Sequence, residues 1–240
     1  PHDRHISRSF FLGILFLAGH HPSANEKAEQ MTTHIKQADL LNLSPLGTGS
    51  HYGGDQDWFR SFWQRKAGCG PTTGANILYY FARTGRLNLP LEVKDREGFV
   101  DLMEHSWGYL TPGVMGLNSP FKMQEGLQKM LAQLNVIQGI QVLDIPASEE
   151  ERPDLLAVES FIRAGLLADS PVAFLNLHNG SVAQLEGWHW VTVVGMTGEG
   201  EHALLDIVDN GSRLQVNLHQ WLSTTRRGGG FVYAAISGQA

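Results

Sequence analysis

Apolar positions follow two different rhythms along this chain. Over 95–105 they fall at Phe99, Leu102 and Met103, and over 122–134 at Met123, Leu127, Met130, Leu131 and Leu134. Steps of three and four put such residues on one helix face, so both segments are predicted to be amphipathic helices. Segments 26–41, 71–84 and 154–167 also read as helices; Ser44-Pro45 breaks the first and Gly85 closes the second as a C-cap. After residue 170 the pattern changes. Segments 171–177, 188–196, 203–208 and 230–236 are runs of β-branched and aromatic residues bounded by turn residues, and 139–145 is a shorter run of the same kind. Thr197-Gly198-Glu199-Gly200-Glu201 between two of them signals a hairpin. Segments 44–57 and 108–120, rich in Gly with Ser and Asp or with Pro, read as loops. Helices first and an antiparallel sheet afterwards is an α+β pattern.

The N-terminus differs in character. Arg4 and Arg8 precede the apolar run 10–18, and small and polar residues follow before Asn25-Glu26-Lys27. This is the layout of an export signal, and the run is short for a membrane span. Residues 1–24 are therefore read as a signal peptide or N-terminal anchor and 25–240 as one domain, with a secreted or cell-envelope location. Because the first residue is Pro1, the sequence reads as a piece lacking its initiator. The formal charge is −6 with no basic block, which argues against nucleic acid as a partner.

The chain has a single cysteine, Cys69. It can form neither an internal disulfide nor a thiolate metal cage, which leaves an inert thiol or a nucleophile. Gly70-Pro71, followed by Ile77-Leu78-Tyr79-Tyr80-Phe81, reads as a helix start with proline at its first position. Cys69 then sits at a helix N-terminus, whose partial positive charge stabilises a thiolate. A nucleophile needs a base, and the base needs an orienting group. Of the 11 histidines, His189 opens the apolar strand of Gly187-Trp188-His189-Trp190-Val191 and is the best base. Counting equal steps from a hairpin tip at Glu199 puts Asp209 opposite His189. Asn210 and Asp206 are its competitors. For the oxyanion of a tetrahedral intermediate, the Cys69 N–H is one donor and Gln64 the expected side-chain donor, with Gln56 as the fallback.

Taken together, Gln64, Cys69-Gly70-Pro71 opening a helix, Gly187-Trp188-His189-Trp190-Val191 and the later Asp209 resemble the papain-like clan of cysteine peptidases, and within it the C39-like branch of bacteriocin-processing peptidases and their bacterial relatives. The matching parts span roughly 56–236. The resemblance implies a papain-like fold with Cys69 as nucleophile, His189 as base, Asp209 orienting it and Gln64 in the oxyanion hole. It further implies a peptide or protein substrate, with no metal or organic cofactor. The Gln64-to-Cys69 spacing is one residue shorter than is common in the clan, and Asp209-Asn210 stands where the family usually has Asp-Pro. Acyl transfer to an amine is the rival chemistry, since phytochelatin-synthase-like proteins share this core. A non-catalytic binding domain is the rival class.

Overall fold

The structure, a computed structural model, describes residues 32–136 and 139–236. Six of its strands form an antiparallel sheet in the order β2 (Ile140–Ile145), β7 (Gly229–Ala234), β3 (Val172–Asn176), β4 (His189–Thr197), β5 (Leu204–Asp209) and β6 (Ser212–Asn217). The short β1 (Thr33–His34) pairs with the far end of β4, opposite Gly195 and Met196, beyond the point where β3 stops. Segment 26–41 thus departs from the expected helix. Within its described part, residues 33–34 are a strand and Ala38–Leu41 a short 3₁₀ turn. The free edge at the end of β4 offers backbone partners that local propensity does not register: the N–H of Ile35 donates to the carbonyl of Val194.

The helices are α1 (Phe62–Ala67), α2 (Cys69–Arg83), α3 (Arg96–Trp107), α4 (Pro120–Gln133), α5 (Leu155–Leu167) and α6 (Leu218–Thr224). Their starts are written in the sequence. The side chains of Asp95, Ser119, Asp154 and Asn217 each accept an N–H from the first turn that follows, satisfying donors a helix start leaves unpaired. Gly85, at φ +70°, ends α2 as expected: its N–H donates to Ala82 and that of Arg86 to Phe81, the paired bonds of a left-handed helix terminus.

Helices cover the sheet on both faces. On one lie α5 and α6, with Trp221 of α6 packed edge-on against Phe174 and Phe231. On the other lies α2, with α3 packed against its outer side. Residues 70–81 of α2 are all buried, as a helix with no solvent face must be. Double coverage also explains why β3, β4 and β7 are nearly continuous apolar runs instead of alternating ones. Besides β1, three helices or strands escaped the sequence reading: α1, β6 and α6. Helices α1 and α6 span only six and seven residues, too few for a helical period to show, and in edge strand β6 only Leu214 and Val216 interrupt a polar run.

One buried polar residue fixes α2 to β4. Asn76 is 2% exposed. Its Oδ1 accepts the N–H of Gly54 (2.8 Å) and its Nδ2 donates to Thr192 Oγ1 (3.0 Å). Truncation leaves two buried groups without partners, at about 1–3 kcal/mol for each such group. Asn76→Ala is expected to lower the urea midpoint accordingly, with an unchanged denaturant slope. Adding Thr192→Val should cost less than the sum of the single changes, because the two side chains share a bond. Strict additivity in the double-mutant cycle would refute the bridge.

Candidate active site

The site grows from the junction of α1 and α2. Gly68 caps both helices, and there is room for nothing larger: a Cβ at this position would meet the Phe59 ring at 2.4 Å and the Gln64 carbonyl at 2.5 Å. Cys69 is the first residue of α2, and the N–H of Thr72 closes the first helical turn on the Gly68 carbonyl (2.9 Å). Pro71 therefore occupies the third helical position, not the expected first. It fits there because its missing N–H still falls among the four that have no acceptor within the helix. Half-buried Cys69 separates two spaces. One is a cavity of about 290 Å³ walled by Trp63, Lys66, Leu117, Leu175 and Trp188. The other is a recess of about 10 Å³, the size of one water, shared with Asn76, Asp209 and Asn210.

His189 is the first residue of β4 and is 5% exposed. Its Nε2 lies 2.6 Å from Oδ1 of Asp209, the last residue of β5. The equal-step count behind this pairing was off by two residues. The ladder pairs Thr197 with Leu204, carries a bulge at Val194 and runs on to Thr192 opposite Val208. Continued one step, it would set Asp209 against Val191. A shift of two preserves the side-chain face, so Asp209 becomes the diagonal neighbour of His189, still within reach of a long ring. The two competitors lie elsewhere. Asn210, at φ +41°, accepts the Gln56 N–H (3.4 Å). Asp206 is engaged by Arg213 (3.3 Å) and Gln215 (2.8 Å), with His34 at 3.5 Å.

Alternation alone would turn His189 away from the thiol. Trp190 and Thr192 face α2, so residue 189 belongs nominally to the opposite face. Its place at the strand's first residue, after Trp188 at φ +60°, brings its ring to Cys69. Burial is the largest influence on the ring and lowers its pKa. The hydrogen bonds and negative charges of Asp209 and Cys69 act the other way and prevail, raising it from 6.5 to about 10. With Nε2 committed to Asp209, Nδ1 is the nitrogen left for the sulfur.

The carboxamide of Gln64 is not free for an oxyanion. It closes a capping box: the backbone N–H of Gln64 donates to Ser61 Oγ (3.2 Å), and the carboxamide Oε1 accepts the Ser61 N–H (3.2 Å). Its Nε2 donates to Glu104. Gln64 is thus the third residue of α1, and helix capping claims it. Gln56, on the turn Gln56–Trp58, has its Oε1 buried without a hydrogen-bond partner and its backbone tied to Asn210, beside the carboxylate that holds His189. Sequence reasoning missed Asn76, although it lies seven residues from Cys69 and so two turns down the same helix face. It also missed the Leu117 carbonyl, which accepts the indole N–H of Trp190 (2.5 Å) and pins the loop after α3 over the start of α2. No spacing signal could have found that backbone group. Among the described residues, no group of three or more His, Cys, Asp or Glu could hold a metal ion.

No protein-family model matches the chain, and no curated protein matches its sequence.

The raised pKa of His189 makes a signed prediction. Folding favours the charged ring, so the associated stability is fully present below pH 6.5 and is lost as pH rises through about 10. Following the His189 ring protons by NMR should give a midpoint well above 6.5, which moves down in Asp209→Asn. Thermal stability should decline across the same interval, and more shallowly in that variant. A wild-type midpoint at or below 6.5 would reject the coupling to Asp209 and Cys69.

Proposed function

We propose that this chain is a thiol-dependent hydrolase, a cysteine peptidase of papain-like, C39-like pattern that cleaves a peptide or isopeptide bond through an acyl-enzyme on Cys69. One observation carries the reading: a buried histidine is held on one nitrogen by a carboxylate 2.6 Å away and meets, on its other side, a thiol at a helix N-terminus facing an open cavity. The order of parts supports it too: helix-borne cysteine, strand-borne histidine, then the carboxylate. The export signal read in residues 1–24 lies outside the described residues and supports a place outside the cytoplasm for the reaction.

The chemistry follows from the charges. The Cys69 proton passes to His189, and the sulfur attacks the substrate carbonyl. The negative charge that builds on the carbonyl oxygen faces the Cys69 N–H, which as the first residue of α2 has no acceptor within the helix. Asp209 keeps the imidazolium oriented and stabilises its charge. The ring then gives its proton to the leaving amine as the C–N bond breaks, leaving a thioester. Water attacks the thioester, His189 taking its proton, and the acid departs as the thiol is restored. Gln56 is the side chain we assign to the oxyanion, because among the described residues its Oε1 has no hydrogen-bond partner, leaving the carboxamide uncommitted on that side, while both ends of the Gln64 carboxamide are engaged.

Cys69→Ala and His189→Ala should each abolish cleavage of a quenched peptide library. Gln56→Ala should lower kcat by about 10²- to 10³-fold, the usual cost of one oxyanion donor. Gln64→Ala should leave kcat near wild type and lower the melting temperature through loss of the capping box. The reverse outcome, with kcat damaged by Gln64→Ala and not by Gln56→Ala, would return the role to Gln64.

A further inference from the structure

We propose that the cavity beside Cys69 selects substrates with a large apolar side chain next to the scissile carbonyl and a carboxylate close by, an inference that rests on the cysteine-hydrolase reading above. The apolar half of the inference comes from the walls. Trp63, Leu117, Leu175 and Trp188 enclose about 290 Å³, at the small end of ligand cavities and so suited to one side chain and its neighbour. The walls also continue outward as exposed apolar surface. Phe62 is 68% exposed, Trp63 51% and Trp188 41%, and the turn Gly113 to Gly116 presents Val114 and Met115 at the rim. Contiguous exposure of this kind marks a binding surface. Trp188 adds a second sign: a bulky aromatic is held at φ +60°, where such residues are rarely found, and its ring serves as cavity wall.

The carboxylate half comes from charge. The chain carries 24 acidic against 18 basic residues, yet no Asp or Glu lines the cavity and Lys66 does. Lys66 Nζ lies over the Phe62 ring, 5.8 Å from its centre, and the Arg227 guanidinium lies over the Trp188 ring at 5.2 Å. Neither cation has a carboxylate partner among the described residues, whereas nearby Arg60 is paired with Glu97 and Asp101. Two unneutralised cations resting on aromatic faces at the mouth of an apolar cleft focus positive potential into it. A carboxylate arriving with an apolar side chain neutralises them. That carboxylate is either an Asp or Glu side chain or the free C-terminus of a short peptide.

The test is kcat/KM for the full chain on a matched set of quenched peptides. The set varies Phe, Leu, Ala and Gly beside the scissile bond, and Glu, Gln and Lys at the neighbouring positions, each with a free or amidated C-terminus. Phe or Leu should exceed Ala by about ten-fold or more. Glu should exceed Gln and Gln should exceed Lys, with the gap narrowing as salt rises. A preference that persists in amidated peptides assigns the carboxylate to a side chain; one that vanishes on amidation assigns it to the terminus. Lys66→Glu should reverse the Glu-over-Lys order, and Trp63→Ala should flatten the preference for large side chains. The wild-type salt dependence keeps the proposal open to refutation should either variant fail to fold. Preference for Gly or Lys overturns it, as does rapid alkylation of Cys69 by iodoacetamide with no selectivity or no cleavage across the set; both outcomes leave the nucleophile reading standing. Absence of cleavage together with alkylation no faster than that of a free thiol overturns the hydrolase reading as well.

Discussion

The seat of α2 on β4 fixes where Cys69 stands relative to His189, and it is held by a buried carboxamide. Asn76 ties together the loop at Gly54, the helix that begins with Cys69 and the strand that begins with His189. Apolar packing alone would let a smooth helix slide or rotate on a smooth sheet, because the hydrophobic effect has no direction. A hydrogen-bonded amide in a dry interior does have one, and an unpaired alternative is costly. Two close approaches tighten the same seat. Gly68 admits the Phe59 ring against the α1–α2 junction, and Gly70 admits Leu117, whose carbonyl is in turn bound by Trp190. Helix, strand and covering loop therefore share one set of constraints, and Cys69 has little freedom to leave its place beside the ring.

That rigid frame is what makes a charged histidine tolerable in the interior. A buried imidazolium without a partner would lose its proton. Here the carboxylate of Asp209 is fixed 2.6 Å away by the last residue of a paired strand, and the thiol is fixed by the first residue of a helix. The bulge at Val194 belongs to this geometry. It offsets β5 against β4 and leaves the Val194 carbonyl for Ile35, so the segment that carries β1 is bound to the strand that begins with His189.

Much of this was legible in the order of residues. Local chemistry wrote the helix caps at Asp95, Ser119 and Asp154, the left-handed end of α2 at Gly85 and the apolar runs of β3, β4 and β7, because each depends on neighbours a few positions away. The pairing of β1 with β4 was not legible, since Thr33 and His34 become a strand only where a free edge is offered to them. Edge strand β6 was hidden for a related reason: Ser212, Arg213 and Gln215 meet solvent, so only Leu214 and Val216 mark the segment as a strand.

For the site, the sequence by itself determined the chemistry available: one thiol, at a helix start, and one histidine opening an apolar strand. It also bounded the choice of carboxylate, since any residue an even number of steps from the true partner shares its face. Tertiary structure alone decided which candidates meet. It drew Gln64 into a capping box and onto Glu104, left Gln56 beside Asn210 with its Oε1 buried and unpartnered, engaged Asp206 with Arg213 and Gln215, and turned His189 past the end of its strand to Cys69. The physical reason is that a side chain's chemical identity is a local property. Its hydrogen-bond partner is settled by competition among groups brought close by the packing of distant segments, and that competition has no trace in spacing along the chain.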